Sequence, residues 1–366
     1  MTQSRAAADT VTTSAPASDA SARALDHIVT VMNHGWLCLL LSIGEQLGLH
    51  EALAARDGMT CRELAQATQC DDRYLQEWLW GMVAGGILAA SQDDDPVFSL
   101  PAGYASVLTA AGGPLHWSRI TTQITTLATL EPELLKAFAT GGGLPAERYE
   151  GRVAEVLAGE SGPIFERVLL TEVLPLTGLT ERLRTGLDVV DLGCGTGAAA
   201  LLLAREFPNS RVRGVDQSRS ALELARTRAA ELGVGNVEFS LADLEAEFDL
   251  EPADLVMAAN VVHDLSDPAG FFTRVRGLLR PGGMLYLHEL SATSLMRKNV
   301  TDPHALGILT FSLYHCLPLA KRRPGIAPGG MWGRERYVEA LRRAGFESVV
   351  VHRAPSDPNN DTILAS

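Results

Sequence analysis

The segment from Val189 to Gly197 constrains the fold more than any other part of the chain. It lies within a short apolar strand from Leu187 to Asp191, a tight loop with three glycines, and an apolar helix from Ala198 to Phe207. A strand, a glycine-rich loop and a helix in this order form a nucleotide-binding βα unit, whose loop backbone approaches a ligand closely. The glycines alone leave the ligand open, because their spacing also fits the G-x-G-x-x-A pattern of dinucleotide-binding proteins.

Three carboxylates at successive strand ends narrow that choice. Asp191 ends the first strand, Asp216 follows the strand Val212 to Val215, and Asp243 follows the next one. The carboxyl ends of parallel strands line one crevice, so we expect the three acids to converge on one ligand. A carboxylate at the loop entrance repels a pyrophosphate and attracts the ammonium and sulfonium groups of S-adenosylmethionine. The pattern therefore favours S-adenosylmethionine, with Asp216 on the ribose and Asp243 on the adenine amino group.

The predicted cofactor-binding residues combine these acids with the glycine loop and their sequence neighbours. They are Asp191, Gly193, Gly195, Gly197, Asp216, Gln217, Asp243, Leu244 and Asn260.

A chain of 366 residues exceeds what one hydrophobic core usually serves. We expect a disordered tail over residues 1–21, a winged-helix domain over 22–110, a helical bridge and active-site lid over 111–182, and a cofactor-binding domain over 183–366. In the second segment, Thr60 and Glu63 have capping-box spacing, which marks a helix start. The preceding helix, from Ala22 to Leu53, is apolar nearly all round near Trp36, and this predicts burial in a homodimer.

Charge and composition limit the partners. The formal net charge is −13 and the pI is about 5.2, so the chain repels nucleic acid and anionic lipid. The candidate recognition helix carries Asp71, Asp72 and Glu77 against Arg73, which argues against DNA binding. The best apolar run, Trp36 to Ile43, is short for a membrane span. Five cysteines without a CxxC pair fit a reducing cytoplasm. We therefore expect a small-molecule substrate, with no nucleic acid and no membrane partner.

At this point a family resemblance is visible in the second half of the chain. The residues that carry it are Asp191-x-Gly193-x-Gly195-x-Gly197, Asp216, Ala242-Asp243, Asp254-Leu255-Val256 and Leu278-Leu279-Arg280-Pro281-Gly282-Gly283. They resemble the successive motifs of class I methyltransferases that depend on S-adenosylmethionine. The resemblance implies an α/β, Rossmann-like fold with a seven-stranded sheet in the order 3-2-1-4-5-7-6. Residues 348–353 and 362–365 match the closing antiparallel hairpin of that family.

The chemistry is expected after the fourth strand, where His263 and Asp264 face the crevice. His263 resembles the catalytic histidine of winged-helix small-molecule O-methyltransferases, whose motif is His-Asp-Trp-x-Asp, although Leu265 stands here in place of the tryptophan. That resemblance implies that His263 is the general base and that Asp264 orients it.

A second resemblance gives the same residues a different role. Four of the nine histidines fall between residues 263 and 315, and two histidines with a carboxylate form a facial triad for a divalent metal. His263, Asp264 and His315 resemble the metal-binding set of 2-oxo acid C-methyltransferases. This resemblance implies Fe or Zn, and methylation of C3 of a 2-oxo acid through a metal-stabilised enolate, for β-methyl amino acids or other secondary metabolites. For His315, the alternative that it simply packs in a helix stays open. For Glu289, the roles of a base and of an outer-shell partner both stay open.

Overall fold

The computed structural model describes residues 17–112, 117–153, 156, 168–246, 249–357 and 359–366. The chain divides into two compact units, one up to Thr122 and one from Gln123 onward. Most of the predicted tail, residues 1–16, lies outside the described residues. Residues 17–21, which we expected in that tail, are instead the first residues of a helix. The finer division at residues 110 and 182 stays a prediction.

The first unit contains a winged helix-turn-helix. Its elements are α1 (Ala17–Gln46), α2 (Leu49–Ala54), β1 (Met59–Thr60), α3 (Cys61–Thr68), α4 (Asp72–Ala84), β2 (Ala89–Ala90), β3 (Val97–Ser99) and α5 (Ala102–Leu108). The strands form an antiparallel sheet in the order β1-β3-β2. At the start of α3, Thr60 Oγ1 accepts a hydrogen bond from Glu63 N at 3.3 Å, and Thr60 N donates to Glu63 Oε2 at 2.8 Å. The predicted capping box is therefore present.

Helix α1 is longer than expected and mostly exposed. By length and composition, residues 19–46 of this helix suffice to cross a membrane. The apolar run identified from the sequence, Trp36 to Ile43, was too short to do so. Near its end, however, Leu37, Leu40 and Leu41 pack against the winged-helix core. The indole of Trp78 also donates a hydrogen bond to Leu40 O at 2.8 Å. The last third of α1 is thus part of a globular core, which is unlike a membrane-spanning segment.

The second unit begins with helices. Those that the structure describes are α6 (Ser118–Ala128, which starts in the first unit), α7 (Glu131–Thr140), a π-helical turn (Leu169–Val173), α8 (Leu174–Thr177) and α9 (Thr180–Thr185). Leu130, Leu134 and Leu144 form a small core of their own. Phe311 and Leu319, from helices much later in the chain, pack against that core. The predicted bridge therefore lies against the region that contains His315.

A seven-stranded sheet forms the centre of the second unit. Its strands are β4 (Asp188–Leu192), β5 (Arg211–Asp216), β6 (Val237–Leu241), β7 (Ala253–Ala259), β8 (Leu279–Leu290), β9 (Val349–His352) and β10 (Asn360–Ala365). They are arranged β6-β5-β4-β7-β8-β10-β9, with β10 antiparallel to both of its neighbours. Counted along the chain this order is 3-2-1-4-5-7-6, which confirms the predicted fold class.

Helices cover both faces of this sheet. They are α10 (Ala198–Glu206), α11 (Arg219–Leu232), α12 (Pro268–Leu278), α13 (Met296–Asn299), α14 (Ala305–Tyr314), α15 (Cys316–Ala320) and α16 (Arg334–Arg343). Side chains alternate along each strand, so Val190 faces the core with Phe271 and the adjacent Val189 faces the core with Leu202. Two apolar layers hold the sheet between helices, and its polar groups concentrate at the strand ends.

Candidate active site

The glycine loop connects β4 to α10 and has the backbone that its sequence predicts. Gly193, Gly195 and Gly197 all have positive φ, at 76°, 52° and 80°. Gly193 N donates to Val215 O at 2.7 Å, which fixes the loop to the end of β5. A Cβ atom at Gly193 would lie 2.2 Å from Val261 Cγ2, so both conformation and space require glycine there.

Asp216, at the end of β5, holds this loop in place. Its Oδ2 accepts a hydrogen bond from Gly195 N at 2.8 Å, and its Oδ1 accepts one from Ser218 N at 2.7 Å. Burial raises the pKa of Asp216, and these backbone donors oppose that rise. The carboxylate therefore stands at a fixed position beside the loop, where we predicted a ribose ligand.

A cleft opens along these strand ends. Six of the nine predicted cofactor residues line it: Gly193, Asp216, Gln217, Asp243, Leu244 and Asn260. The six remaining lining residues are Glu245, Val261, Asp264, Leu265, Leu319 and Arg322. Of these, only Asp264 was among our predicted site residues. The same cleft thus joins the cofactor loop to the predicted chemical centre.

Two predicted cofactor residues have unexpected surroundings. Asp243, expected to bind the adenine amino group, is instead paired with Arg323, which lowers the pKa of the carboxyl. Asn260 has a left-handed backbone, with φ of 53°, and its buried Oδ1 has no hydrogen-bond partner within the described part of the chain. A strained residue with an unsatisfied acceptor at a cleft wall is typical of a ligand site.

Asp191 lies beneath the loop and does not line the cleft. The side chain is only 2% exposed. Burial, and then the nearby charge of Asp216, raise its pKa from 3.8 to about 7, while a hydrogen bond from the backbone of Ala200 opposes the rise. Asp191 is buried near the end of β4, directly before the glycine loop, so we expect it to act on a bound cation through its charge.

This position predicts that cofactor binding depends on pH. A cationic ligand favours the ionised form of Asp191, so S-adenosylmethionine should bind more tightly as pH rises through about 7, by up to about tenfold per pH unit. Asp191→Asn should flatten this dependence in calorimetric titrations between pH 6 and 8.

In the protein without cofactor, the raised pKa of Asp191 makes stability fall with pH. The contribution of Asp191 to the free energy of unfolding is fully present below about pH 4 and is lost as pH rises through about 7. The Asp191→Asn variant should therefore unfold at a higher temperature than the wild type at pH 8.

The matched control is Asp188→Asn, at the opposite end of the same strand. Asp188 pairs with Arg280 at 2.7 Å, away from the glycine loop. That variant should keep the pH dependence of the wild type. An Asp191→Asn protein that keeps it too would contradict the proposed charge role.

The second cluster of the site surrounds Asp264. His263 and Asp264 lie in a short turn after β7, and His315 lies where α14 ends and α15 begins. His263 Nε2 is 3.5 Å from Asp264 Oδ1, and His315 Nδ1 is 3.8 Å from Asp264 Oδ2. The structure therefore brings together the three residues that we predicted to act as a unit.

Glu289 lies against the ring of His263. Glu289 is fully buried, and its Oε2 lies 2.5 Å from His263 Nδ1. It also accepts hydrogen bonds from Val262 N at 2.8 Å and from Tyr337 OH at 2.9 Å. Asp264 stands on the Nε2 side of the ring, at 3.5 Å, and Glu289 stands on the Nδ1 side. The orienting role of Asp264 and the role of Glu289 as a base or a positioning residue stay predictions.

His288, which precedes Glu289 in β8, does not belong to this cluster. Its Nε2 lies 3.1 Å from Asp357 Oδ2, and both side chains are buried. It therefore takes part in a separate polar contact.

The two histidines of the cluster have opposite proton affinities. Burial alone would lower the pKa of His263, but Glu289, Cys316 and Asp264 outweigh it and the pKa lies well above its ordinary value. Burial lowers the pKa of His315, with Asp264 opposing. The surroundings therefore shift the pKa values of the two histidines in opposite directions.

Cys316 also belongs to this cluster, and we had not predicted it. Ligand atoms of His263, Asp264 and Cys316 all lie within 4.8 Å of one another. Burial, and then the charge of Asp264, raise the pKa of the Cys316 thiol to about 12. The sequence signal was its position directly after His315, which we read only as part of a helix.

The residues present fit a divalent cation. Asp264 Oδ1 and His315 Nδ1 are buried polar atoms that have no hydrogen-bond partner among the residues that the structure describes. Buried polar groups are normally satisfied, so such atoms indicate a missing partner. Tyr149 and Phe311 enclose the ring of His315, with centroids 4.9 and 5.1 Å away. An oxygen, nitrogen and sulfur donor set in an enclosed site is a suitable metal environment.

Comparison with known proteins agrees with this architecture. Residues 183–326 match the family described as a methyltransferase domain, and residues 35–110 match the Rv2258c-like winged HTH domain. The chain is 41% identical over 115 residues to trans-aconitate 2-methyltransferase of Azoarcus sp. strain BH72, covering 31% of this chain and 41% of that protein. It is 31% identical over 131 residues to the ubiquinone biosynthesis O-methyltransferase of Methylocella silvestris, covering 36% and 50%. The chain thus spans half or less of these relatives.

Solved structures share the whole fold at low identity. Mitomycin 7-O-methyltransferase MmcR aligns over 95% of this chain and 99% of its own, with a TM-score of 0.69 and 17% identity. Human N-acetylserotonin methyltransferase, solved in complex with S-adenosylmethionine, aligns over 96% and 99%, with a TM-score of 0.62 and 18% identity. At such identities the likeness concerns the fold alone.

The sheet order and the matched domain define the second half of the chain as a class I methyltransferase domain. The chain therefore carries an S-adenosylmethionine-dependent methyltransferase domain preceded by a winged-helix domain, as its motifs implied.

Proposed function

We propose that the chain is a C-methyltransferase that transfers the methyl group of S-adenosylmethionine to C3 of a 2-oxo acid, with a divalent metal held at His263, Asp264 and His315. The observation that carries this proposal is the position of Asp264. It lies between the two imidazoles, at 3.5 and 3.8 Å, and it also lines the cofactor cleft. A metal at these residues would stand beside the methyl donor.

One arginine of the cleft supports an acidic substrate, although the other charged groups of the cleft oppose it. The wall of the cleft carries Asp216, Asp243, Glu245 and Asp264, which together repel an anion. Arg322 is the cation on that wall, and its Nε donates to Leu319 O at 3.0 Å. Within the described residues, no ion pair joins Arg322 to a carboxylate of the chain. We propose that its guanidinium binds the substrate carboxylate, as the fork of Arg does well. Part of this chain is related to the trans-aconitate 2-methyltransferases, and trans-aconitate, the compound in their name, is the anion of an acid.

The chain's own residues prepare this reaction. A divalent cation, when bound, stabilises negative charge that develops on a substrate oxygen and so makes the neighbouring C–H more acidic. Glu289 fixes the ring of His263 by its bond to Nδ1, which leaves Nε2 directed toward Asp264. Tyr149 and Phe311 shield His315 from water. In the transfer, C3 gives up one proton to water, the S–CH₃ bond breaks as a C–CH₃ bond forms, and S-adenosylhomocysteine is released.

The decisive experiment combines metal removal with substrate choice. Purified protein is analysed for Fe and Zn, and methyl transfer is measured on phenylpyruvate, indolepyruvate, branched 2-oxo acids and simple phenols. A chelator and His315→Ala should each abolish transfer to 2-oxo acids, and added metal should restore only the chelated wild type. The control is His304→Ala, a histidine outside the cluster. Full activity on 2-oxo acids after chelation, or in His315→Ala, would overturn the proposal.

The second candidate is an O-methyltransferase with His263 as general base. The close pair of His263 and Glu289 favours it, because such a carboxylate orients a catalytic imidazole. Mitomycin 7-O-methyltransferase also shares the fold. Under this alternative, phenols would be methylated, a chelator would have no effect, and His263→Ala would be inactive.

We also propose that the chain is a cytoplasmic homodimer of secondary metabolism. Helix α1 exposes large apolar side chains, and these include Leu25, Ile28, Met32, Trp36 and Leu39. A row of this kind on a helix is typical of a surface that a second copy covers. The fold is shared with an O-methyltransferase from neocarzinostatin biosynthesis, which supports the metabolic setting. Equilibrium sedimentation measures the assembly state, and a monomer at every concentration would contradict the dimer.

A further inference from the structure

We infer that Cys316 is itself a metal ligand, so that the centre binds Zn²⁺ through a sulfur as well as through His263 and Asp264. This inference rests on the proposed metal-assisted function. It adds one thiolate to the set of two histidines and a carboxylate that the sequence resemblance implied.

The backbone between α14 and α15 brings Cys316 into the site. α14 ends at Tyr314 and α15 begins at Cys316, while His315 between them has φ of −126° and ψ of −73°. This break in the helix lets two consecutive side chains, His315 and Cys316, both approach Asp264. In an uninterrupted helix, neighbouring residues point about 100° apart.

The donor atoms lie close enough together to bind one metal ion, and one of the histidines is held by a carboxylate on its other nitrogen. Ligand atoms of His263, Asp264 and Cys316 lie within 4.8 Å of one another, and Cys316 is fully buried. The Nδ1 of His263 is engaged by Glu289, so Nε2 is the free donor. Metal-binding histidines usually donate their second nitrogen to a carboxylate in this way.

The chemistry of the set selects the ion. Thiolate ligands favour Zn²⁺ and other soft ions, whereas a set of two imidazoles and one carboxylate also suits Fe²⁺. Zn²⁺ takes nitrogen, oxygen and sulfur donors in four-coordinate sites that can expand to five-coordinate, which admits a substrate oxygen in addition to the four protein ligands. A thiol that coordinates a divalent cation loses its proton outright. His315, whose Nδ1 lies 3.8 Å from Asp264 Oδ2, remains a ligand of the set.

Cobalt absorption tests the sulfur ligand directly. Metal-free full-length protein is titrated with Co²⁺, because a thiolate bound to Co²⁺ gives a charge-transfer band in the near ultraviolet. The wild type should show this band and Cys316→Ser should lose it, with its affinity for Zn²⁺ reduced by at least about tenfold. Cys70→Ser, a matched change in the winged-helix domain, should keep the band. Circular dichroism and S-adenosylmethionine binding check that each variant is folded.

A second measurement needs no variant. X-ray absorption of the Zn²⁺-loaded wild type should show one sulfur at about 2.3 Å from the metal. Metal binding without a charge-transfer band or a sulfur neighbour, or a band that persists in Cys316→Ser, would overturn the assignment of Cys316 and leave the proposed function standing. A wild type that binds neither Co²⁺ nor Zn²⁺ would overturn both.

Discussion

Replacing Glu289 by glutamine should lower methyl transfer by about 100-fold and the free energy of unfolding by about 3 kcal/mol. Glu289 is fully buried and accepts hydrogen bonds from Val262 N, His263 Nδ1 and Tyr337 OH. Glutamine has nearly the same shape, but it has one acceptor oxygen fewer and no charge to strengthen the hydrogen bond with His263 Nδ1. The loss therefore falls both on stability and on the orientation of the imidazole.

Three measurements separate these effects. Denaturant unfolding gives the free energy, initial rates give the activity, and NMR titration gives the pKa of His263. That pKa should fall in Glu289→Gln, because the carboxylate is among the charges that raise it. The control is Tyr337→Phe, which removes one hydrogen bond and should cost only about 1 kcal/mol. A Glu289→Gln protein with the His263 pKa of the wild type would refute the positioning role.

The sheet could be predicted because its signals are local. The strand from Leu187 to Asp191 is apolar without interruption, as a strand buried on both faces must be, and glycines follow it at once. Each later motif marks one strand end, so their order along the chain gave the sheet order through the family resemblance. The capping box at Thr60 is equally local. The start of α1 at Ala17 was missed because alanine, serine and aspartate at a chain end also suit a disordered tail.

The surroundings of the site could be predicted only in part. His263 and Asp264 are adjacent in sequence, and a motif placed them at the end of the fourth strand. The segment that returns over the cleft has no such motif, so the pairing of Arg323 with Asp243 and the positions of Leu319 and Arg322 were not foreseen. The contact between Glu289 and His263 depends on the registration of β7 against β8, which brings Ala259 beside His288. Pairings of this kind follow from the folded chain and not from local sequence.

Arg322→Gln should raise the KM for a 2-oxo acid by about 10- to 100-fold, which is the value of a charge-assisted hydrogen bond. The reason is the balance of charge in the cleft, where Arg322 faces four carboxylates and, within the described residues, is ion-paired with none. Lysine keeps the charge but lacks the planar fork, so Arg322→Lys should lie between the wild type and Arg322→Gln. The affinity for S-adenosylmethionine, measured by calorimetry, should change little in either variant.

The adjacent arginine provides the contrast. Arg323 pairs with Asp243 and lies 3.7 Å from Glu245, so its charge is already used within the protein. Arg323→Gln should therefore alter the KM for S-adenosylmethionine, by freeing Asp243 for the adenine, and leave the KM for the acid unchanged. The two arginines differ by one position in sequence and would act on different substrates. If Arg322→Gln left the KM for every acid tested unchanged, the substrate carboxylate would have to bind elsewhere, and the metal cluster around Asp264 would be the remaining cationic site in the cleft.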